Sequence, residues 1–285
     1  MTSLRFYFLN VGQGDTTVVI TPHGRAIVID CANFNKTDSL LRILNIKKID
    51  LLVTTHPHYD HVCDVPLLMK KYKVELWWAP GPFMCNSPLF GECYGLAENG
   101  NRVGSYEAVV AGSYKRWPGD VECRVLAPSI AQRNSVRRAG KREQSNSNHT
   151  SIVVRIGFDK RSGAVLSADG EMFTWSDIVR ECIDEVRCKI FKVPHHGSLN
   201  GMFPQLYGTM KCRDVVISCG RKNKYRHPHK ITMLTLHSLK KKPRVWMTSH
   251  SGTIRCHLKR GWARSDILEL GDRPRELITP DLLER

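Results

Sequence analysis

Short runs of β-branched and aromatic residues alternate with glycine-containing turns in the N-terminal part of the chain. LRFYFLNV, DTTVVIT and AIVIDC have the length and composition of strands, and together they predict a β-meander. Helical spacing follows in TDSLLRILNI, where Thr37 or Asp38 is placed to cap the helix. Next come KIDLLVTTH, which is typical of a buried strand, and the helical pattern CDVPLLMKKYK.

The second half of the chain repeats this mixture of elements. Strands are predicted at SIVVRIGF, GAVLSAD, CKIFKVP, DVVISC, RVWMTS and GTIRCHL, and helices at TWSDIVRECIDEV and HKITMLTLHSLKK. Because strands and helices mix in both halves, the pattern predicts an α/β protein with two sheets between layers of helices. The main domain is expected to span residues 1–264, with a mildly acidic C-terminal tail at 265–285.

Two stretches interrupt the regular pattern. Residues 81–119 are rich in Gly, Asn, Pro and Ser, and they are predicted to form an insertion or lid, with room for one short helix. Residues 129–148 are basic and rich in Ser and Asn, and they are predicted to form a surface loop.

The positive charge is large and unevenly distributed. The chain has 43 Lys and Arg against 27 Asp and Glu, a net charge of +16. Residues 210–264 contain fifteen Lys and Arg and one acid, Asp214. Such charge attracts polyanions, which makes nucleic acid the expected partner; a solvated, solubilising face is the other interpretation.

Other bulk features concern the cellular compartment. No apolar run approaches the roughly 20 residues needed to span a bilayer, so no membrane insertion is expected. The stretch MTSLRFYFLNVGQGD lacks the basic n-region of a signal peptide, and the ten cysteines include no CxxC pair. These features favour a cytoplasmic protein with reduced thiols, and they identify no protein partner.

Four residues of metal-binding type follow the predicted strand LLVTT in the pattern HxHxDH. They are His56, His58, Asp60 and His61. Imidazole and carboxylate groups bind ions such as Zn²⁺ and Mn²⁺, and a tight loop after a strand directs alternate side chains into one small volume. The loop therefore predicts a site for two divalent ions, Zn²⁺ or Mn²⁺, with a bridging hydroxide as the nucleophile.

Further candidate ligands stand at other strand–loop junctions. Asp169 ends GAVLSAD, where its carboxylate is placed to bridge two ions, and His195 and His196 follow CKIFKVP. His149 precedes the strand SIVVRI. Gly12 and Gly14 are better explained by a tight turn than by a phosphate-binding loop.

The motif THPHYDH resembles the signature of the metallo-β-lactamase superfamily. More narrowly, the chain resembles the hydrolase domain of ComEC-type DNA-uptake proteins and their free-standing relatives. Nine stretches match in order between Phe8 and Ile254: FLNVGQGDTTVV, IVIDCA, IDLLVTTHPHYDH, VLAPS, NHTSIVVRI, VLSADGE, KVPHHGS, VISCGRKNKYRHPH and SGTI. The resemblance implies an αββα four-layer sandwich with metals at one edge of the two sheets.

The resemblance also implies which residues bind the metals. One ion would be bound by His56 and His58 and the other by Asp60 and His61, with Asp169 as the bridging ligand.

One of His195 and His196 would be the last ligand, and His195 is favoured because it comes first after the strand. His149 stands 20 residues before Asp169, as a ligand of the superfamily does, although a loop histidine is the alternative. In the family pattern Asp30 would orient the HxHxDH loop, and Asp15 is expected to order the site from behind.

NKYRHP resembles the NxYGHP stretch of the same family. His227 there would donate a proton to the leaving group or hold a phosphate oxygen, unless it is a structural histidine before Pro228. Asp60 and His227 are thus the predicted catalytic residues. The predicted substrate contacts are Lys222, Asn223, Lys224, Tyr225 and Arg226.

A two-metal site beside a basic segment predicts a nuclease or phosphodiesterase that cleaves DNA or RNA. One alternative is a hydrolase of the same fold with a small substrate, namely a cyclic nucleotide, lactone, thioester or β-lactam. The other is a nucleic-acid-binding subunit with weak catalysis.

Overall fold

The computed structural model describes residues 3–81, 87–99, 101–139 and 144–268. These residues form two β-sheets packed face to face, with helices on both outer faces. The predicted αββα sandwich is thereby confirmed.

The first sheet has the strand order β16-β15-β1-β2-β3-β5-β6-β4, and β7 also pairs with β6. Its strands are β1 (Leu4–Phe8), β2 (Thr17–Ile20), β3 (Ala26–Ile29), β4 (Lys48–Ile49), β5 (Leu51–Val53), β6 (Lys73–Ala79), β7 (Val103–Ala108), β15 (Thr253–Lys259) and β16 (Trp262–Leu268). The C-terminal hairpin of β15 and β16 thus returns to the sheet that the N-terminus begins.

The second sheet has the order β14-β13-β12-β11-β10-β9-β8. Its strands are β8 (Tyr114–Trp117), β9 (Val121–Ala127), β10 (Val153–Gly157), β11 (Gly163–Leu166), β12 (Ile190–Lys192), β13 (Asp214–Ile217) and β14 (Arg244–Met247). The strands from β11 to β14 are parallel, so their carboxyl ends meet at one edge.

The described residues also form nine α-helices and four 3₁₀ helices. The α-helices are α1 (Phe34–Ile43), α2 (Tyr59–Val62), α3 (Val65–Lys71), α4 (Pro88–Glu98), α5 (Ile130–Ala139), α6 (Met172–Cys182), α7 (Pro204–Met210), α8 (Lys230–Ser238) and α9 (Thr248–Ser251). The 3₁₀ helices are Gln144–Thr150, Ile183–Val186, Pro194–Gly197 and Leu199–Gly201. None of the described helices combines the length and apolar character that crossing a membrane requires.

Alternation along the strands divides the core into layers. On β1, Phe6 and Phe8 pack between the two sheets, whereas Tyr7 faces the helices on the outer side of the first sheet. On β10, Val154 and Ile156 join the same inter-sheet core. This period of two is what fixes the register of strands that are covered on both faces.

Helix α1 begins at a different residue from the one predicted. Asn33 is the N-cap, because its Oδ1 accepts a hydrogen bond from the Lys36 N–H at 3.0 Å. Thr37 and Asp38 lie inside the helix, so their predicted capping role was wrong. Asp38 instead accepts a hydrogen bond from the Tyr72 hydroxyl at 2.8 Å.

The segment 81–119, expected to be an insertion or lid, contributes regular elements in its described part. Helix α4 packs Phe90 and Tyr94 against Trp77 of β6, at ring distances of 6.1 and 4.7 Å. Strand β7 pairs with β6, and β8 pairs with β9, so the segment extends both sheets. Residues 82–86 and 100 lie outside the described residues.

Two other boundaries differ from expectation. The predicted basic loop 129–148 contains helix α5 and most of the 3₁₀ helix Gln144–Thr150. Helix α5 is anchored by its own residue Val136, whose apolar side chain is buried. Residues 140–143 lie outside the described ranges. Strand β16 pairs Ser265 with Cys256, so the domain continues through the predicted boundary at 264. The rest of the predicted tail, from residue 269, lies outside the described residues.

Candidate metal centre

The ends of four strands from both sheets supply the site. Strand β3 leads to Asp30, β5 to His56, β11 to Asp169, and β12 to His195 and His196. Asp30, His195 and His196 have φ angles of 57°, 48° and 54°, in the left-handed region that residues other than glycine rarely adopt. Backbone strain of this kind concentrates at functional sites, because the surrounding structure must hold it in place.

Asp30 braces the HxHxDH loop from behind. Its Oδ1 accepts from the Thr55 N–H at 2.8 Å, and its Oδ2 accepts from the Thr55 hydroxyl at 2.7 Å. The same Oδ2 lies 2.6 Å from Nδ1 of His61. With Nδ1 occupied in this way, Nε2 of His61 faces Asp169 and lies 3.2 Å from its Oδ1.

Two groups of ligand-type side chains meet at the strand ends, and Asp169 belongs to both. Within each group the ligand atoms lie within 4.8 Å of one another. One group is Asp15, His61, Asp169 and His196, and the other is His56, His58 and Asp169. A carboxylate shared by two groups is suited to bridge two cations.

The residues present fit a divalent metal. Nε2 of His56, His61 and His196 and Oδ1 of Asp169 are buried without a hydrogen-bond partner among the described residues. A buried polar atom left without a partner costs about 1–3 kcal/mol, so four such atoms aimed at one volume need a ligand in common. Imidazole nitrogens combined with a carboxylate suit Zn²⁺ and Mn²⁺.

The buried candidate ligands shift one another's pKa values. Burial opposes the charge of Asp169, but His61 and His196 outweigh burial and hold the pKa of Asp169 well below its usual range. Burial likewise opposes a charged His61, yet Asp169 and Asp30 raise the pKa of His61 well above its usual value. Burial, joined by His61, lowers the pKa of His56. Asp169 and His61 therefore favour each other's charged forms.

The geometry favours His196, the alternative, over His195 as the last ligand. His196 is 1% exposed, its Nδ1 donates to the Ser218 carbonyl at 2.8 Å, and its Nε2 lies 3.3 Å from Oδ2 of Asp60. His195 is partly exposed, and its Nδ1 lies 3.2 Å from Oε1 of Glu171. Both histidines have left-handed backbone angles, and His196 is the more deeply buried of the two.

The remaining predicted ligands take different positions. His149 belongs to neither described group; it lies 3.8 Å from a carboxylate oxygen of Glu171, and its ring packs on Phe173 at 5.1 Å. Asp60 approaches His196 but also falls outside the two groups. Burial would raise the pKa of Asp60, but His196 and His61 nearby outweigh it and lower that pKa.

Lys192 and Glu171 are two site residues that the sequence interpretation missed. Lys192 ends β12, is 2% exposed and forms an ion pair with Asp15, so a buried lysine holds the carboxylate behind the site. Glu171 lies between His195 and Asn148, whose side-chain amide donates to it at 3.0 Å. The lysine in CKIFKVP, an otherwise apolar strand, was a usable signal for Lys192.

Gly14 lets the GQGD turn approach the HxHxDH loop. A Cβ at Gly14 would lie 2.6 Å from the carbonyl oxygen of Asp60, too close for any other residue. The next residue, Asp15, donates its backbone N–H to the same carbonyl at 2.9 Å. The turn therefore supports the metal loop.

A cavity of about 400 Å³ opens above the cluster. Its lining residues are Gln13, His58, Tyr59, Asp60, Asp169, His195, His196, Tyr225 and His227. Burial, together with His196 and His195, lowers the pKa of His227 to about 4. His227 is therefore neutral at pH 7, which suits an N–H donor to a phosphate oxygen better than a charged acid.

Asn223 holds His227 in place. Its Oδ1 accepts from the backbone N–H of His227 at 2.8 Å, and its amide donates to the carbonyls of His227 and Gly220 at 2.7 and 2.8 Å. These bonds use both amide donors, so the side chain expected to contact substrate instead braces the loop.

The basic segment divides between two edges of the molecule. Lys222, Lys224 and Arg226 are exposed on the loop between β13 and α8, beside the cavity. Lys240 and Lys241 lie at the opposite edge, because they precede β14, which is parallel to β13. Only part of the basic segment from 210 to 264 is therefore near the metal cluster. Counting charges along the chain did not show that the segment is divided in this way.

Comparison with known proteins agrees with this fold. The model of the metallo-beta-lactamase superfamily matches residues 9–87, which include the HxHxDH loop. ComE operon protein 3 of Bacillus subtilis is 24% identical over 273 residues, covering 88% of this chain and 32% of that protein. Recombination protein 2 of Haemophilus influenzae is 26% identical over 255 residues, covering 87% of this chain and 28% of that protein. The chain thus spans about a third of the length of these curated relatives.

Among solved structures, a diphosphatase of the PhnP family has the same fold. It is 15% identical, with a TM-score of 0.50, and the alignment covers 85% of this chain and 94% of that one. At this identity the likeness shows the fold alone.

The fold and the His/Asp cluster define the class, a metallo-β-lactamase-fold protein with a candidate metal site. Within that class, the predicted resemblance to ComEC-type proteins is confirmed by the two relatives. The family match over residues 9–87 and the cluster together support a metal-dependent hydrolase.

Proposed function

We propose that the protein is a metal-dependent phosphodiesterase that acts as a nuclease on DNA or RNA. One observation carries the proposal: two ligand groups share Asp169 at the floor of a cavity lined by Tyr225 and His227, and the loop of these two residues also carries exposed basic side chains. A phosphodiester brings negative charge, which both the ions and the rim attract. The name Recombination protein 2, borne by one relative, refers to a process on DNA and agrees with this choice.

Two divalent ions, Zn²⁺ or Mn²⁺, would be held by the two groups around Asp169. One would lie at His56 and His58, the other at His61 and His196, with Asp60 next to the second. Such ions stabilise the attacking and leaving oxygens of a displacement at phosphorus.

The protein's own residues orient these ligands and the substrate. Asp30 fixes the tautomer of His61, and Lys192 holds Asp15 behind the cluster. His227, kept in place by Asn223, donates its N–H to a non-bridging phosphate oxygen. His149 and His195, which contact Glu171, belong to the wall next to the cluster in this proposal.

A hydrolase of the same fold with a small substrate is the second candidate. The size of the cavity favours it, since about 400 Å³ accommodates a small molecule but only a short part of a polymer. A cyclic nucleotide, a lactone, a thioester or a β-lactam would each fit by size. A binding subunit with weak catalysis has less support, because the candidate ligands converge on one volume.

The test offers the purified protein, loaded with Mn²⁺ or Zn²⁺, four substrates: plasmid, single-stranded DNA, RNA and bis-p-nitrophenyl phosphate. We expect cleavage of at least one nucleic acid as well as the small diester. Cleavage of the small diester alone, or of a lactone, contradicts the nuclease and supports the second candidate. The Asp169→Asn protein, prepared in parallel, excludes a contaminating nuclease.

A further inference from the structure

Two exposed tyrosines stand at the rim of the metal cavity on loops from opposite sheets. Tyr59 begins α2 within the HxHxDH loop and is 74% exposed, and Tyr225 lies between β13 and α8 and is 55% exposed. Both line the cavity that contains Asp169 and His196. Single exposed aromatic residues are ordinary, but two at the mouth of one candidate active site indicate a ligand with an apolar face.

The ring of Tyr225 is held in place by its neighbours. It stacks on His227, with ring centroids 5.6 Å apart and an interplanar angle of 22°. Nζ of Lys224 lies 5.0 Å from the ring centroid, within the range of a cation–π interaction. A ring fixed in this way loses little conformational entropy when a flat partner stacks on it.

We propose that Tyr59 and Tyr225 form a stacking subsite for unpaired nucleobases, and that the protein prefers single-stranded nucleic acid to a duplex. The inference deepens the proposed nuclease function and rests on it. Bases inside a duplex are covered on both faces by their neighbours, whereas an unpaired base presents its π-face to an aromatic side chain.

The size of the cavity supports a single nucleotide as its occupant. Its volume of about 400 Å³ lies within the range of about 300–1,000 Å³ for pockets that enclose one small ligand. One unpaired nucleotide belongs to that size class. A duplex would have to separate locally before one of its nucleotides reached Asp169.

The cations beside Tyr225 complete the pattern of a single-strand site. Lys222, Lys224 and Arg226 are exposed on the same loop, so Tyr225 stands between two basic side chains. Grooves for single strands combine these two features, since rings stack on successive bases while cations follow the phosphates.

The experiment measures binding and cleavage with one set of variants. The main variant is Tyr59→Ala/Tyr225→Ala, and Tyr59→Phe/Tyr225→Phe preserves both rings. Tyr114→Ala is the matched control, because Tyr114 is also 55% exposed and packs on arginines, yet lies on β8 and does not line the cavity. The probes are a labelled single strand, the same strand with abasic sites throughout, and its duplex.

Binding is followed by fluorescence anisotropy without added metal. Wild type should bind the base-bearing strand at least about 10-fold more tightly than the abasic strand, since stacking contributes at this level for each base. The double alanine variant should lose that preference and keep its affinity for the abasic strand. The double phenylalanine variant and Tyr114→Ala should behave as wild type.

Three results overturn the subsite: equal wild-type binding of the base-bearing and abasic strands, duplex binding as tight as single-strand binding, or equal loss on both strands in the alanine variant. The metal-loaded protein is then tested for cleavage of the same strands. A base preference that depends on the tyrosines, without cleavage of any strand, supports the subsite and contradicts the nuclease proposal.

Discussion

The floor of the cavity is buried, whereas its rim is exposed to water and carries positive charge. On the floor, His56, His61, Asp169 and His196 are at most 1% exposed, and hydrogen bonds from behind fix His61 and His196. At the rim, residues 221–226 are mostly exposed, and their cations face water. The floor is therefore suited to chemistry that requires fixed ligands, and the rim to attraction of a charged substrate. Mutations should separate the two roles.

The largest effect is expected at the carboxylate that both ligand groups share. Asp169→Asn should abolish hydrolysis of every substrate and lower metal content, because the amide keeps the shape but removes the charge that bridges two ions. Activity assays and elemental analysis of the purified protein measure both quantities. Normal turnover in this variant would show that the floor is not where hydrolysis takes place.

A smaller loss of metal affinity or activity is expected from a substitution at Asp30, which lies behind the metal ligands. Asp30→Asn should lower metal affinity or activity by about 10–100-fold, since it weakens the bond that orients His61. Asp50→Asn is the matched control, because Asp50 is 4% exposed and bonds a backbone N–H away from the cluster. Equal metal loss in both variants would show a general folding defect.

Metal affinity should also depend on pH. Asp169 and Asp30 raise the pKa of His61 well above its usual value, so a metal that binds at His61 has to compete with a proton there. Affinity should therefore rise as pH increases toward that raised pKa. Calorimetry in buffers of different ionisation enthalpy detects the released proton, and an affinity that is flat from acidic to alkaline pH would contradict the paired charges described above.

Charge reversal at the rim should have the smallest effect, and this effect should be limited to binding of long nucleic acid. Lys222→Glu/Lys224→Glu should weaken binding of long nucleic acid, while hydrolysis of a small diester stays the same. The salt dependence of binding should become flatter, by about one unit of slope for each phosphate that the variant no longer neutralises. Titrations of a labelled polymer at several salt concentrations measure this slope.

Lys240→Glu/Lys241→Glu provides the matched control for the rim. It makes the same charge change on exposed residues at the opposite edge. Equal weakening by both pairs would mean that net charge, rather than position, attracts the polymer.

The sequence predicted the fold, and it placed most candidate ligands of the floor at strand ends, because both inferences depend on local patterns. Strand periodicity places Asp30, His56 and Asp169 at strand ends, and parallel strands bring such ends to one edge. The choice between His195 and His196 was not visible locally, because it depends on two left-handed residues that only the packed structure holds.

The rim was predicted less well, for a topological reason. Neighbouring basic residues along the chain, such as Lys224 and Lys240, reach opposite edges because helix α8 runs between β13 and β14. Counting charge along a segment cannot separate them. Asn223 shows a related limit, since a polar residue in a loop serves either the substrate or its own backbone, and only the hydrogen bonds tell which.

Asp169 is the residue on which the proposed pair of metal sites depends, since it belongs to both ligand groups on the buried floor. Native mass spectrometry after loading with Zn²⁺ or Mn²⁺ and removal of excess ion counts the bound metals. We expect two bound ions per chain in the wild-type protein and a loss of bound metal in Asp169→Asn. Fewer than one ion per chain in the wild type, or an unchanged content in Asp169→Asn, would contradict a two-metal floor joined by Asp169.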